Sequence, residues 1–370
     1  MKIKTLHILT SRSWGGLESY ALEFIHQHRE TLDSTLFCYP QSKVHLKAKE
    51  LNISCAHSLW PLLKNQWNLT ITHYRADLWR SWLLSSVFKK TQKTIYHLMM
   101  GAGSTKKGFY HKFTYGHLSA VVSSSHKVVE EAQNNFPLLP HRIYYLPYGR
   151  NLDHFLQDHS VTAEKLRKST GAHSNILVFG TACRLDRQKG VIELAKALEI
   201  LSESERNQIQ IWIIGQPTIQ KSDGSHVTYE SNSLTVVREL ELLQEKFPKQ
   251  LFLIPHQKDL APYYVAMDIF VLATYNETYS LAVIEAMASG RPILGTNSGG
   301  TIEQVQPPKH GVLVTPKSSQ SLAEGIRFFL RLPKNQRLSI GENAKKWALK
   351  THSWHNNKQI FYQILKEIGL

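Results

Sequence analysis

The chain has 370 residues, of which 42% are hydrophobic and 20% are charged. A domain contains about 100–200 residues, so this length predicts two domains with sizeable cores, and the apolar content excludes a disordered chain. No apolar run reaches the roughly 18 residues that a membrane-spanning helix requires. His7 and Arg12 interrupt the first apolar run before it could form the core of a signal peptide. We therefore expect a cytoplasmic protein.

The charge is basic and unevenly distributed. The formal net charge is +15, and residues 1–150 hold 19 basic and 8 acidic side chains, a difference of +11. The densest stretch, residues 64–127, has ten basic residues and one acid, Asp77. Such a surface favours a polyanionic partner, which could be an acidic membrane face, a phosphorylated glycan or a nucleic acid, while a basic face without a partner is the alternative. The three cysteines lack metal-ligand spacing, so we expect reduced thiols.

The first half alternates between strand and helix patterns. A helix is predicted over residues 17–28, where apolar residues recur at helical spacing after the Gly15-Gly16 turn. A turn-rich segment, residues 147–155, precedes the expected domain boundary. The predicted strands of this half cover residues 4–10, 34–39, 69–73, 94–99 and 120–123.

The second half repeats the alternation. Helices are predicted over residues 191–202 and 280–289, and Gly290 suits a left-handed cap at the end of the second helix. The polar segment 216–233 has no periodicity and is predicted to be a surface insertion. The predicted strands cover residues 175–182, 208–214, 250–254, 269–273, 292–296 and 312–315.

This alternation predicts an α/β protein with two doubly wound, Rossmann-like parallel-sheet domains that face a cleft. We place the first domain at residues 1–160 and the second at residues 161–351, with a C-terminal helix, about residues 352–370, packing back on the first domain. Ligands of such sheets bind at the carboxyl ends of the strands, which we expect to face the cleft.

Two cations lie in the loop after the strand predicted at 175–182. Arg184 and Lys189 are expected to be exposed there, and Gly190 opens the next helix. A helix N-terminus favours an anion through its free N–H groups and its dipole. An arginine fork and a lysine point charge can share the two phosphates of a diphosphate. The pattern therefore favours a diphosphate site, with two solvated loop cations as the alternative.

Two carboxylates, Glu277 and Glu285, flank the start of the helix predicted at 280–289. Eight positions on one helix would place them about 80° apart around the axis and about 12 Å apart along it. We expect instead that Glu277 precedes the helix, in the loop after the strand at 269–273. Each carboxylate could then accept hydrogen bonds from a pair of sugar hydroxyl groups. A chance pair of glutamates is the alternative, but the position after a strand favours a site.

In combination these motifs resemble those of the retaining nucleotide-sugar glycosyltransferases of family 4, which have the GT-B fold. The resemblance rests on the Arg184…Lys189-Gly190 loop, the two glutamates, the runs 285–290 and 299–303, Gly15-Gly16-Leu17-Glu18, Pro147-Tyr148-Gly149 and Trp354. The stretch 106–113 adds a thin likeness to bacterial lipopolysaccharide-core transferases. The segments 252–259 and 278–280 depart from the family pattern, so the base and the sugar of the donor stay open.

The resemblance implies a role for each matching residue of the second half. Arg184 and Lys189 would bind the donor diphosphate and stabilise the departing nucleotide. Glu285 would hold the ribose hydroxyl groups, and Glu277 would face the transferred sugar. No Asp-x-Asp motif occurs between residues 15 and 155, so we expect no metal cofactor, and the two cations would take the place of a bridging metal.

In the first half the resemblance implies roles for a glycine and a histidine. Gly16 would let the backbone approach the donor phosphate or the acceptor. His97, at the end of a predicted strand, would contact the sugar, and His73, at the end of an earlier strand, is the competing candidate.

The predicted function is a retaining glycosyltransferase that moves a sugar from a nucleotide-diphosphate sugar to a hydroxyl group of a glycan or lipid-linked acceptor. The expected process is the synthesis of bacterial envelope polysaccharide or lipopolysaccharide. The first domain would bind the acceptor, and the interleaved cations and aromatic residues of 106–113 suit an anionic membrane surface at the inner face of the membrane. One alternative is a nucleic-acid-binding protein, which the absence of any nucleic-acid motif disfavours. Another is an epimerase or phosphorylase with the GT-B fold, which the glutamate pair and the Arg–Lys loop disfavour.

Overall fold

The computed structural model describes residues 2–222 and 227–370. The chain divides into two compact units, the first comprising Met1–Arg150 and His352–Leu370 and the second Asn151–Thr351. The division at 150/151 lies ten residues before the expected boundary at 160/161, and Phe155, between the two, packs against a core of the second unit.

The first unit contains a parallel sheet. Its strands are β1 (Ile3–Ile8), β2 (Leu32–Phe37), β3 (Ser54–Ala56), β4 (Trp67–Thr72), β5 (Thr91–His97), β6 (Ala120–Ser123) and β7 (Ile143–Tyr145). In the described residues they are ordered β3-β2-β1-β4-β5-β6-β7. β1 lies near the middle of the sheet, where Leu6 and Ile8 are fully buried.

Helices connect these strands, as a parallel sheet requires. They are α1 (Gly16–Gln27), α2 (Lys43–Glu50), α3 (Leu59–Leu63), α4 (Leu78–Trp82), α5 (Phe109–Gly116) and α6 (His126–Asn135). α1 buries Tyr20, Phe24 and Ile25, which share one face at helical spacing. α4 continues as a π-helical turn over Leu83–Val87.

The second unit is built in the same way. Its strands are β8 (Leu177–Arg184), β9 (Ile209–Gln216), β10 (Ile219–Ser222), β11 (Val227–Tyr229), β12 (Leu251–Pro255), β13 (Ile269–Leu272), β14 (Ile293–Thr296) and β15 (Gly311–Val314). In the described residues the parallel sheet has the order β12-β9-β8-β13-β14-β15, and β10 and β11 form a separate antiparallel pair. This pair lies in the segment predicted to be an insertion, of which residues 223–226 lie outside the described residues.

Helices cover both faces of this sheet. They are α7 (Asp153–Leu156), α8 (Ser160–Thr170), α9 (Val191–Ile200), α10 (Glu203–Arg206), α11 (Ser231–Lys246), α12 (Ala261–Ala266), α13 (Leu281–Ala288), α14 (Thr301–Gln304), α15 (Ser319–Arg331) and α16 (Lys334–His352). Ile211 and Ile213 of β9 enter one apolar core, and Trp212 and Ile214 enter another. Alternate side chains of one strand are therefore buried on opposite faces, which explains its continuous apolar sequence.

The last helix, α17 (Trp354–Glu367), belongs to the first unit. The Trp354 ring stacks on Tyr20, with centroids 5.8 Å apart and 8° between the planes. A Cβ atom on Gly149 would lie 2.3 Å from a carbon of the Trp354 ring, so no larger residue fits there without a shift. Gly149 and Trp354, which the sequence analysis connected only through the family resemblance, are thus in contact.

The predicted fold class, two doubly wound parallel-sheet units, is confirmed. The predicted strands match the observed ones to within a few residues, and Gly290 has the expected left-handed backbone, with φ of 76°. The short strands β3 and β7 are not among the predicted strands, because three residues are too few to show a periodic pattern.

Candidate functional site

The second unit has a topological switch point between β8 and β13. From β8 the chain moves outward to β9 and β12, and then returns to β13 on the other side. The loops that follow β8 and β13 therefore leave the same edge of the sheet in opposite directions, and ligands of doubly wound sheets bind in the crevice that forms there. Lys189 lies in the first loop and Glu277 in the second.

The structure brings these two side chains into an ion pair. The distance from Lys189 Nζ to Glu277 Oε2 is 2.8 Å, and the side chains are only 21% and 18% exposed. Burial alone would lower the pKa of Lys189, but the Glu277 carboxylate outweighs it, and the pKa is raised. The prediction that Lys189 is an exposed loop cation is wrong, because the loop after β13 folds over it.

Arg184, in contrast, is exposed, as predicted. It is the last residue of β8, and its side chain is 59% exposed. Its Nε atom lies 3.7 Å from Asp186 Oδ2, too far for a strong hydrogen bond. Its neighbour Arg187 is held instead by Glu239, at 3.0 Å. Arg184 therefore keeps most of its donors available at the edge where ligands bind.

Tight backbone packing holds the two loops together. Gly190 has φ of 64°, and a Cβ atom there would lie 2.0 Å from the Ala273 carbonyl oxygen. On the other side, a Cβ on Gly299 would lie 1.9 Å from the Glu277 carbonyl oxygen. Only glycine fits at these positions, which explains why glycines accompany both charged residues. Gly190 also precedes α9, as predicted.

Glu285 occupies a different environment from Glu277. It lies within α13 and is 6% exposed, whereas Glu277 precedes the helix, as expected. The hydroxyl group of Tyr264 donates a hydrogen bond of 3.1 Å to Glu285 Oε2. The two carboxylates therefore have distinct partners, a lysine and a tyrosine.

The first unit has its own switch point between β1 and β4. Gly16 is the first residue of α1 and follows the loop after β1. Glu18, in the first turn, accepts hydrogen bonds from Ser11 Oγ at 2.6 Å and Ser13 Oγ at 3.1 Å. Glu18 was named above only as the last residue of the run Gly15-Gly16-Leu17-Glu18 and was given no role, although its position beside the two glycines was a signal.

A second buried carboxylate ties the loop after β1 to the segment after β4. Asp77 accepts a hydrogen bond of 2.8 Å from Thr10 N and one of 2.7 Å from Arg80 Nη1. Burial raises the pKa of Asp77, although both partners act in the opposite direction. The one acid of the basic stretch is therefore an internal anchor for the loop that precedes Gly16.

His97 and His73 both lie in a buried cluster of rings. His97 is 1% exposed, and neither ring nitrogen has a hydrogen-bond partner among the described residues. His73 Nε2 is 3.0 Å from His7 Nδ1. Burial, with contributions from His73 and His28, holds the pKa of His97 well below its usual value, so its ring is neutral at pH 7. A buried polar group without a partner is unusual and is a reason to look for a ligand or a bound water.

No cluster suited to a metal ion was found in the described ranges, that is, no group of three or more His, Cys, Asp or Glu side chains in a suitable arrangement. None of the helices in the described part of the chain combines the length and the apolar character needed to cross a bilayer.

Residues 162–347 match the protein family described as "Glycosyl transferases group 1". The matched range covers half of the chain and contains Arg184, Lys189, Glu277 and Glu285. The chain therefore belongs to the glycosyl transferases group 1 family.

Individual relatives are similar over part of their length. The chain is 31% identical over 222 residues to the putative teichuronic acid biosynthesis glycosyltransferase TuaC of Bacillus subtilis, which covers 60% of this chain and 49% of that protein. It is 26% identical over 208 residues to the lipopolysaccharide 1,2-N-acetylglucosaminetransferase of Salmonella typhimurium, covering 55% of this chain and 51% of that protein. The chain thus spans about half the length of the curated relatives it matches.

Solved structures are similar over the whole chain. The Anabaena protein HepE, crystallised with UDP and glucose, gives a TM-score of 0.82 at 17% identity and covers 98% of this chain and 99% of its own. With two parallel-sheet α/β units, the chain has the GT-B fold.

Proposed function

We propose that this chain transfers a sugar from a nucleotide-diphosphate sugar to a hydroxyl group of a glycan or lipid-linked acceptor. The observation that carries the proposal is the Lys189–Glu277 pair beside the exposed Arg184, at the switch point of the second sheet. Cations there suit a diphosphate, and a carboxylate suits sugar hydroxyl groups. The family assignment and the likeness to a structure that holds UDP and glucose support the same donor class.

The two cations have unequal tasks in this proposal. Lys189 is already neutralised by Glu277, so the pair adds oriented donors but little net charge. Arg184 supplies the net positive charge. As the bond from the sugar to the diphosphate breaks, negative charge grows on the phosphate oxygen, and fixed cations stabilise it more than they stabilise the intact donor. In this proposal no metal ion takes part.

The carboxylates recognise the sugars of the donor. Glu277 accepts a hydrogen bond from the transferred sugar while it positions Lys189. Glu285 accepts hydrogen bonds from the ribose in this proposal, in addition to the one that it accepts from Tyr264. The two roles are inferred from the positions of Glu277, in the loop after β13, and of Glu285, within α13.

Retention of configuration belongs to the proposal as well. The bond from the anomeric carbon to the phosphate oxygen breaks, and a bond from the same carbon to the acceptor oxygen forms on the same face. The proton of the acceptor hydroxyl group passes to the departing phosphate. Glu277, which is paired with Lys189, positions the sugar and does not act as a nucleophile. Proton NMR of the product tests this step, and an inverted anomeric configuration would contradict it.

The first unit binds the acceptor in this proposal. Gly16 brings the backbone close to the acceptor or to the donor phosphate, and His97 contacts the sugar through its unpartnered ring nitrogens. The names of the two relatives described above, from Bacillus subtilis and Salmonella typhimurium, point to envelope polysaccharide as the acceptor class. We assign the chain to the family 4, lipopolysaccharide-core type of enzyme, held peripherally at an anionic membrane surface, with no nucleic-acid partner.

A pair of neighbouring arginines offers a matched experiment. Arg184 and Arg187 are 59% and 55% exposed, but only Arg187 is held by a carboxylate within 3.0 Å. We expect Arg184→Ala to reduce transfer by about 100-fold, the scale of losing one transition-state donor. Arg187→Ala should keep wild-type transfer. Equal rates for the two variants would contradict the diphosphate site.

A further inference from the structure

An aromatic patch lies on the first unit, on α4 and α5. It lines an open pocket of about 370 Å³, and its members are Trp79, Trp82, Leu83, Phe109, Tyr110 and Phe113. The side chains are far from buried, since Phe109 is 78%, Tyr110 65% and Phe113 47% exposed. Single exposed apolar residues are common on protein surfaces, but a contiguous apolar patch marks a site of interaction.

The rings of the aromatic patch are packed against one another. The centroids of Phe109 and Phe113 are 4.8 Å apart, and those of Trp82 and Phe113 are 6.1 Å apart, both in edge-to-face geometry. Such ring pairs are favourable in themselves. The surface is therefore formed in advance, from two segments about 30 residues apart in the chain.

Lysines flank the segments of the aromatic patch along the chain, and no acidic residue lies among them. From residue 78 to residue 129 the sequence contains no Asp or Glu. Lys107 and Lys112 are exposed on either side of the start of α5. The other lysines of this stretch are Lys89, Lys90, Lys93, Lys106 and Lys127, whereas Arg80 is paired with Asp77 at 2.7 Å. An apolar centre with a cationic margin complements a bilayer that has anionic headgroups above its acyl chains.

We propose that the aromatic patch docks the first unit on an anionic phospholipid bilayer. Phe109, Tyr110 and Phe113 enter the boundary between headgroups and acyl chains, and Lys107 and Lys112 lie at the phosphates. This docking surface specifies how the chain contacts the membrane named in the proposed function, and its biological meaning rests on that function. The test below measures only lipid binding. Membrane docking can therefore be disproved while the proposed sugar transfer remains supported, and sugar transfer can be disproved while docking remains supported.

Vesicle sedimentation separates the electrostatic contribution to membrane binding from the apolar one. We expect the full chain to bind phosphatidylcholine vesicles that contain phosphatidylglycerol and to bind pure phosphatidylcholine weakly. Lys106→Ser, Lys107→Ser and Lys112→Ser together should weaken anionic binding by about 100-fold at low salt. Phe109→Ser with Phe113→Ser should weaken it by about 10-fold or more at low and high salt alike, because salt does not screen an apolar term.

Matched control variants remove the same numbers of exposed lysines and exposed apolar residues from the second unit. Lys165, Lys249 and Lys309 are three exposed lysines, and Leu242 and Leu338 are 60% and 56% exposed. The triple Lys→Ser and double Leu→Ser controls should bind vesicles like the wild type. Binding losses equal to those of the patch variants would overturn the proposal, since net charge or total apolar surface would then decide.

Tryptophan quenching locates the contact directly. Lipids with brominated acyl chains should quench the fluorescence of Trp79 and Trp82, and the quenching should fall in the Trp79→Phe, Trp82→Phe variant. A wild type that ignores anionic vesicles at low salt overturns the proposal. Vesicle binding without patch-dependent quenching also overturns it, because the lipid would then contact another surface. Binding of dispersed lipid monomers without vesicle binding overturns it as well, because the pocket would then be a site for a single lipid chain.

Discussion

Replacing Lys189 by methionine removes the cation of the Lys189–Glu277 pair and leaves the carboxylate in place. Each side chain is about four-fifths buried. Removing one partner of a buried pair costs about 3–5 kcal/mol, and we reduce this to about 2 kcal/mol because both groups keep some contact with water. Glu277→Gln retains an acceptor for Lys189 and should cost about 1 kcal/mol.

The double variant, Lys189→Met with Glu277→Gln, separates stability from transfer. It buries no unpaired charge, so we expect it to recover about 1 kcal/mol of the loss seen in Lys189→Met. It still lacks the lysine, so we expect transfer to remain about 100-fold below wild type. Urea unfolding, monitored by tryptophan fluorescence, measures the stability of each variant. Release of nucleotide from the donor measures its rate of transfer.

Two outcomes would contradict these roles of the Lys189–Glu277 pair. Wild-type transfer by the double variant would mean that the pair is structural and that Lys189 does not act on the donor. Wild-type stability of Lys189→Met would mean that Glu277 is more solvated than its 18% exposure indicates.

Three further predictions concern other parts of the chain. Glu285→Ala should weaken nucleotide binding, measured by calorimetry, and unchanged binding would remove its ribose role. Gly149→Ala should destabilise the fold by about 2 kcal/mol, the scale of overpacking, because a Cβ there meets the Trp354 ring; an unchanged urea midpoint would show that the ring shifts freely. Burial lowers the pKa of His352 to about 4 from 6.5, and the bond that its ring N–H donates to Tyr148 O only partly offsets this. The unfolded chain therefore binds the extra proton between pH 6.5 and pH 4, so the stability from this histidine is present above pH 6.5 and is lost as pH falls toward 4. His352→Asn keeps a donor without titrating, and urea unfolding across this range should then fall less steeply with acid, whereas an unchanged slope would remove the assignment.

Periodicity was sufficient to predict most of the architecture. β9 and its neighbours are apolar on both faces because helices cover both, and a continuous apolar run between turns is readable in one dimension. The position of the loop that carries Arg184 and Lys189 was equally readable, since Arg184 ends a strand and Gly190 precedes a helix.

Contacts between distant loops were not readable. Lys189 and Glu277 are 88 positions apart, and the sequence of neither loop indicates that the two side chains form a pair. The contact of Gly149 with Trp354 is similar, because a single glycine carries no sign of the ring that fills its missing side chain. The stretch 106–113 indicated a membrane surface, but only the structure adds Trp79 and Trp82 to it.

A thermal-shift screen of UDP-, GDP-, ADP- and CMP-sugars tests whether the second unit binds a nucleotide-diphosphate sugar. A ligand at about 100 times its Kd stabilises the native state by about 2.7 kcal/mol and raises the unfolding midpoint. We predict that at least one donor class raises the midpoint of the wild type and of Arg187→Ala, and that the shift is largely lost in Arg184→Ala. If no donor shifts the wild type, or if Arg184→Ala responds like the wild type, the donor does not bind beside Arg184 at the switch point of the second sheet.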